Sequence, residues 1–172
     1  ASKGVHTIIE ATAYLNSRGI KAQVNLAGAE FQDGYWSQMK QYAKKKGICD
    51  QISWFGQLNR EQLAKFMCIH HIGIFPSIYP EAFGIVAAEY MASSLVTVTS
   101  GVGGADELIE HGETGMKFKA GNSEDLGKVL EYLARNPKKM IEISRNGKEK
   151  VQDCFSVQKS SEELERFFLD LI

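Results

Sequence analysis

The stretch HIGIFPSIYPEAFGIVAAEYMASSLVTVTS, residues 71–100, contains two short apolar runs separated by a loop and a helix-forming segment. The runs HIGIFPS and LVTVTS have the composition of buried strands. Between them, the small and apolar residues from about Phe83 to Ala92 predict a helix. Two strands joined by a helix form a crossover unit, so these two strands are expected to lie parallel in one sheet.

The same alternation continues outward in both directions from this unit. Further strands are predicted at AQVNLAG (22–28), QISWFG (51–56) and TGMKFK (114–119). Helices are predicted from the amino end to Gly19 and over about residues 34–46, 60–69 and 105–111. Three more are predicted after these: one that ends at Asn136-Pro137, one over about residues 138–150, and one at the carboxyl end. The last helix is marked by the apolar residues Val157, Leu164, Phe167, Phe168 and Leu171. Part of its stripe Leu164, Phe167, Phe168 and Leu171 is expected to be exposed or covered by another chain. This pattern predicts an α/β domain with a parallel sheet and flanking helices.

Length, charge and cysteine content limit the possible function classes. The 172 residues, 44% of them hydrophobic, suit one domain that spans residues 1–172. A formal net charge of −1 favours neither a nucleic acid nor an anionic membrane as partner. The three widely spaced cysteines, Cys49, Cys68 and Cys154, predict reduced structural thiols and a cytoplasmic protein. No apolar run approaches the roughly 20 residues of a membrane span, and no signal peptide is apparent.

Ligands of open parallel sheets bind outside the carboxyl ends of the strands, in the region that we call the crevice. The loop after HIGIFPS leads into a predicted helix, so the first amide groups of that helix are expected to face the crevice and bind an anion. These are the amides of Phe83, Gly84, Ile85 and Val86. Gly84 lacks a side chain that would keep a phosphate away from the backbone.

Two carboxylates flank the same helix start. Glu81 lies in the loop before it, and Glu89 lies about a turn and a half inside it. The two acids should therefore face different parts of one elongated ligand. Carboxylates accept hydrogen bonds from paired sugar hydroxyls, so phosphate in the middle and sugar rings at each end would fit. A nucleotide sugar has this shape.

Three motifs resemble a known family. PSIYPEAFGIVAAEYMA (76–92) resembles the nucleotide-sugar motif of the family 4 (group 1) glycosyltransferases, which are retaining enzymes of the GT-B fold. SKGVHTIIEA (2–11) resembles the family's Lys-Gly segment, and SGVGGADELIEHGETGMKF (100–118) resembles its Gly-Gly, Glu and Gly-x-Thr-Gly run. The resemblance covers nearly the whole chain. It implies a Rossmann-like three-layer domain, the donor-binding half of a GT-B enzyme that transfers a hexose from a nucleoside-diphosphate sugar to a glycan or lipid.

The resemblance also implies a role for each candidate residue. Lys3 would contact the donor diphosphate, the amides of residues 83–86 the phosphate, and Glu89 the ribose hydroxyls. Glu81 would be the catalytic residue, next to the donor sugar and its developing charge. The amino-terminal acceptor domain, and the strand that precedes Lys3 in the family, would lie upstream of Ala1. Peripheral membrane contact by the full-length protein stays open.

Four positions depart from the family pattern. Ser94 stands where a Gly usually ends the helix, and Val96 where a Pro usually begins the next strand. Asp106 replaces a usual Pro, and His71 a usual Asp. None of them is a ligand-facing position, although these changes could shift the Gly103-Gly104 loop near the donor sugar.

We expect no metal and no cofactor. The adjacent pair His70-His71 has no third ligand at a suitable spacing, and no Asp-x-Asp pair falls in a crevice loop. A non-catalytic nucleotide-binding domain, or part of a sugar-nucleotide epimerase of the same fold, remains an alternative. An epimerase would need further ionisable groups in its crevice. The sequence alone does not choose among UDP, GDP and ADP.

Overall fold

The computed structural model describes residues 3–30 and 32–170. The strands are β1 (Val24–Leu26), β2 (Ile52–Trp54), β3 (Ile72–Phe75), β4 (Val96–Thr99) and β5 (Met116–Lys117). The helices are α1 (Val5–Ser17), α2 (Tyr35–Lys45), α3 (Arg60–Cys68), α4 (Ile85–Ala92), α5 (Ala105–Leu108), α6 (Ser123–Arg135), α7 (Pro137–Phe155) and α8 (Val157–Leu169). Each of these strands and helices lies where the sequence predicts one, and the strands are shorter than the apolar runs that contain them. A short 3-10 helix at Cys49–Gln51 was not predicted.

The described strands are all parallel, and they fall into two hydrogen-bonded groups. One group pairs β1 with β2, and the other has the order β3-β4-β5. Within residues 3–30 and 32–170, no backbone pairing joins β1 to β3. The prediction of a parallel sheet with flanking helices is confirmed, with the refinement that these strands do not form one continuous ladder.

The main core lies between β4 and a layer formed by α1 and α6. Ile8, Leu15, Val98, Leu126 and Leu133 are all buried there. Side chains of this size contribute about 1.5–3 kcal/mol each when they are fully buried. Because Leu126 and Leu133 share one face of α6, their burial fixes that helix on the sheet and leaves its charged face in solvent.

Helix α8 buries none of its residues. Leu164, Phe167, Phe168 and Leu169 are each more than half exposed. The expectation that part of this stripe is exposed is therefore confirmed for Leu164, Phe167 and Phe168, whereas Leu171 lies outside the described part of the chain.

The structure gives a physical account of two departures from the family pattern. Ser94, which follows α4, adopts a left-handed backbone with φ of 62°, the conformation that a glycine would adopt at less cost. Val96 donates its backbone N–H to the carbonyl of His71 at 3.0 Å. A proline at position 96 has no such hydrogen to donate, so valine adds one hydrogen bond at the start of β4.

Candidate functional site

The loop after β3 carries Glu81 to the carboxyl edge of the parallel strands. Next to it, β4 ends at Thr99, and the following residue, Ser100, donates its backbone N–H to the carbonyl of Phe75 at 3.1 Å. The Ser100 hydroxyl donates to the Ser77 carbonyl at 2.6 Å. Both serines are buried. These two hydrogen bonds therefore connect the carboxyl ends of β3 and β4 next to the predicted crevice.

Helix α4 begins at Ile85, two residues later than predicted. Gly84 is the residue before it and has a left-handed backbone with φ of 80°, so Phe83 lies in the loop. A Cβ atom at Gly84 would also lie 2.8 Å from the Cβ of Ala105. Glycine is required here by the backbone and by the approach of α5, in addition to the ligand approach that the sequence suggests.

The amide groups proposed for anion binding are not used by hydrogen bonds within the described protein. Within the described residues, the backbone N–H groups of Phe83, Gly84, Ile85 and Val86 have no hydrogen-bond acceptor. Unpaired amides at a helix start carry part of the positive end of the helix dipole. The four predicted amides, consecutive at the start of α4, thus have no protein acceptor, as an anion site needs.

The Gly103-Gly104 loop packs directly against the Glu81 segment. Residues 81 and 103 form a parallel bridge, and Gly104 donates its N–H to the Glu81 carbonyl at 2.9 Å. A Cβ at Gly103 would lie 2.3 Å from that carbonyl oxygen, and one at Gly104 would lie 2.4 Å from the Ala82 oxygen. Only glycines allow the two backbones to come this close. The loop therefore sets the position of the Glu81 backbone.

Lys3 and Glu81 form an ion pair, although the sequence assigned them to different parts of the ligand. Lys3 Nζ lies 2.6 Å from Glu81 Oε1, and the side chains are 63% and 29% exposed. Gly4 is close to the end of β3, since an added Cβ would lie 2.0 Å from the Pro76 oxygen. An ion pair this exposed contributes about 0–1 kcal/mol, so Lys3 can leave it for another anion at little cost.

The carboxylate of Glu81 has a second protein partner. Ser77 Oγ donates to the same Oε1 atom at 2.9 Å. Burial acts to raise the pKa of Glu81, but the hydrogen bonds from Lys3 and Ser77 outweigh it and hold the net pKa below the ordinary value. Glu81 is therefore ionised at neutral pH.

Glu89 lies apart from this network. It is exposed on α4, and within the described residues its side chain makes no hydrogen bond or ion pair. Its neighbour Tyr90 packs inward, where burial, together with the Glu89 charge, raises the pKa of Tyr90 to about 12. The structure thus pairs Lys3 with Glu81 just before the start of α4, and within the described residues it leaves the Glu89 side chain without a protein partner.

Two polar contacts of this region were not predicted. One is the Ser77 hydroxyl, whose position in the IFPS run two residues beyond β3 was its only signal. The other is the ion pair between Lys117 Nζ and Asp106 Oδ1, at 2.5 Å, which links β5 to α5 behind the glycine loop. Nothing in the sequence connects these two charges, which lie eleven residues apart on different elements.

Neither a metal cluster nor a membrane-spanning helix is found in the described chain. Across residues 3–30 and 32–170, no three His, Cys, Asp or Glu side chains are grouped as metal ligands. Over the same residues, every helix is too short or too polar to cross a bilayer.

Comparison with known proteins identifies the family of the chain. The family model described as "Glycosyl transferases group 1" matches residues 1–150. The chain belongs to this family. It is 25% identical over 174 aligned residues to the capsular polysaccharide biosynthesis glycosyltransferase CapM of Staphylococcus aureus, and the match covers 96% of this chain and 42% of CapM.

Solved structures show the same fold. HepE of Anabaena, crystallised in complex with UDP, superimposes with a TM-score of 0.89 at 24% identity, over 98% of this chain and 46% of HepE. The carboxy-terminal domain of the group 1 glycosyl transferase LpcC of Francisella tularensis gives a TM-score of 0.80 at 24% identity, over 91% of this chain and 81% of that domain. The chain thus has the fold of half a GT-B enzyme and spans less than half the length of CapM and HepE.

Proposed function

We propose that this chain is the donor-binding domain of a retaining glycosyltransferase that transfers a hexose from a nucleoside-diphosphate sugar to a glycan or lipid. The observation that carries the proposal is the position of Glu81, held by Lys3 and Ser77 beside four unpaired amides at the start of α4. A negative group next to an anion site suits a ligand in which a sugar is joined to a diphosphate. The complexes of HepE with UDP and with UDP-glucose support this ligand class.

In the proposed complex, the amides of residues 83–86 and Lys3 bind the diphosphate. Lys3 would leave Glu81 for the phosphates and offset the charge of the departing nucleoside diphosphate. As the bond between sugar and phosphate breaks, positive charge develops on the sugar, and the ionised Glu81 would stabilise it. Glu89, exposed further along α4, would accept hydrogen bonds from the ribose hydroxyls.

The proposal includes a second domain on the amino-terminal side, which would carry the acceptor site. The length of CapM and HepE relative to this chain supports it. We also propose that a strand upstream of Lys3 joins β1 to β3, since neither strand has a partner on that side within the described residues. The isolated chain should then bind a nucleoside diphosphate weakly and transfer nothing. Formation of a glycoside by the purified chain would contradict this expectation.

Calorimetric titration of Glu81→Ala and Glu89→Ala tests the two acids separately. The ligands are UDP, GDP and ADP and the corresponding sugar nucleotides. Glu89→Ala should weaken the free diphosphate and the sugar nucleotide alike, by roughly tenfold to a hundredfold, because both carry the ribose. Glu81→Ala should weaken only the sugar nucleotide, and it should leave the free diphosphate unchanged or slightly tighter. Glu149→Ala, an exposed charge change on α7, is the control.

Equal effects of both substitutions on both ligands would contradict the donor-site assignment. So would no effect of either one, which would leave the two acids as a solvated pair at a helix start. The same titration tests the proposed independence from metal. Addition of a chelator should leave the affinity unchanged, and a strict requirement for magnesium or manganese would contradict this part of the proposal.

A further inference from the structure

Ser77 contacts Glu81 on the protein side of the crevice, and burial fixes the position of the Ser77 side chain. Only 3% of Ser77 is exposed, and its backbone carbonyl accepts the hydroxyl hydrogen of Ser100 at 2.6 Å. The Ser77 hydroxyl therefore gives up little conformational freedom when it binds a partner. Lys3, the other partner of Glu81, has a long and mostly exposed side chain.

The Ser77 hydroxyl has one hydrogen and two acceptors within reach. Glu81 Oε1 lies at 2.9 Å, and the carbonyl oxygen of Tyr79 lies at 3.1 Å. The carboxylate is the closer acceptor and carries the charge, so it receives the hydrogen. Both protein contacts of the carboxylate, from Ser77 and from Lys3, are made to Oε1. Within the described residues, Oε2 has no partner and is left for a ligand.

We propose that Ser77 is a positioning residue for Glu81: it holds Oε1 on the protein side, so that Oε2 faces the donor sugar. This inference rests on the proposed function for the identity of the ligand. As a consequence, Glu81 keeps its orientation when Lys3 leaves it for the diphosphate, because the buried Ser77 side chain stays in place. Ser77 touches neither the phosphates nor the sugar in this arrangement and acts only through Glu81.

The first test needs no ligand. The carboxyl titration of Glu81 is followed by NMR in the wild-type chain and in Ser77→Ala, Ser77→Thr and Ser93→Ala, with Glu81→Gln used to assign the signal. Ser77→Ala should raise the pKa of Glu81, because a hydrogen bond to the ionised form is lost. Ser77→Thr keeps a hydroxyl and should restore the wild-type value. Ser93→Ala removes a serine hydroxyl that instead contacts Met67, and it should change nothing.

The second test is calorimetry with UDP-glucose and UDP. Ser77→Ala should weaken UDP-glucose by about tenfold and change UDP by less than about twofold, because only the sugar depends on the orientation of Glu81. Ser77→Thr should recover most of the affinity for UDP-glucose. If Ser77→Ala is too unstable to titrate, Ser77→Cys replaces it with the same expected directions, since a thiol is a weak donor.

An unchanged pKa of Glu81 in Ser77→Ala would overturn the inference, and so would equal weakening of UDP-glucose and UDP. A wild-type chain that binds no sugar nucleotide at all would instead overturn the proposed function, and with it the orientation of Oε2 toward a sugar. The NMR titration would still decide whether Ser77 holds the Glu81 carboxylate. The two failures are therefore distinguishable.

Discussion

Replacing Gly103 with alanine should destabilise the domain through two separate costs. The backbone φ of 73° strains any residue with a Cβ, and this strain lowers the free energy of unfolding by about 1–2 kcal/mol. Alanine also reduces the conformational freedom of the unfolded chain, which offsets about 0.4–1 kcal/mol of that loss. The added Cβ would also lie 2.3 Å from the carbonyl oxygen and 2.6 Å from the amide nitrogen of Glu81. These are backbone atoms that no rotamer change can move away, and overpacking of this kind costs about a further 1–3 kcal/mol.

Gly19→Ala is a matched control for the strain. Gly19 has nearly the same φ, 75°, but an added Cβ there would meet nothing within 4 Å. We expect Gly19→Ala to cost about 1 kcal/mol and Gly103→Ala about 2–4 kcal/mol in the free energy of unfolding. For a domain of this size, the larger loss lowers the melting temperature by roughly 4–16 °C.

Chemical denaturation of both variants measures the difference, and calorimetry with UDP-glucose measures its effect at the crevice. Displacement of the Glu81 backbone by Gly103→Ala should reduce sugar-nucleotide affinity by about tenfold or more, and Gly19→Ala should leave it unchanged. The reasoning would be refuted if Gly103→Ala and Gly19→Ala lowered the free energy of unfolding by amounts that agree within about 0.5 kcal/mol. The loop would then have room to move away from Glu81, and it could not be setting the position of that residue.

Ser94→Gly should raise the free energy of unfolding by about 1 kcal/mol, because glycine relieves the left-handed backbone. Ser93→Gly, one residue earlier at φ of −83°, should instead lower it by about 0.5–1 kcal/mol, and both changes are measured by chemical denaturation. Acid should destabilise the domain through Glu10, whose pKa is lowered mainly by the hydrogen bond from Tyr42. Because the folded pKa lies below the ordinary value of 4.5, this contribution is complete above pH 4.5 and is lost as the pH falls through the folded pKa. In Glu10→Gln, unfolding measured from pH 6 to pH 3 should depend less steeply on pH, and an unchanged slope would refute this assignment.

The sequence by itself determined the order and type of the described elements. The run VTVT at 96–99 belongs to a strand that is buried on both faces, whereas the amphipathic period of α6 reflects burial on one face of a helix. Local composition and spacing are enough to reveal both patterns. The motif from Pro76 to Ala92 likewise placed Glu81 before a helix start and Glu89 within the helix. Family membership follows from the same local patterns.

Only the tertiary structure decided which groups meet at the crevice. Lys3 and Glu81 are 78 residues apart in the chain, and their contact depends on where α1 begins relative to the end of β3. The helix start at Ile85, later than the apolar pattern suggested, results from the left-handed backbone of Gly84 against α5. The hydrogen bond from Ser77 to Glu81 depends on a loop conformation that residue spacing does not encode. Local spacing reports burial and helix ends, whereas contacts between distant segments follow from how the elements pack.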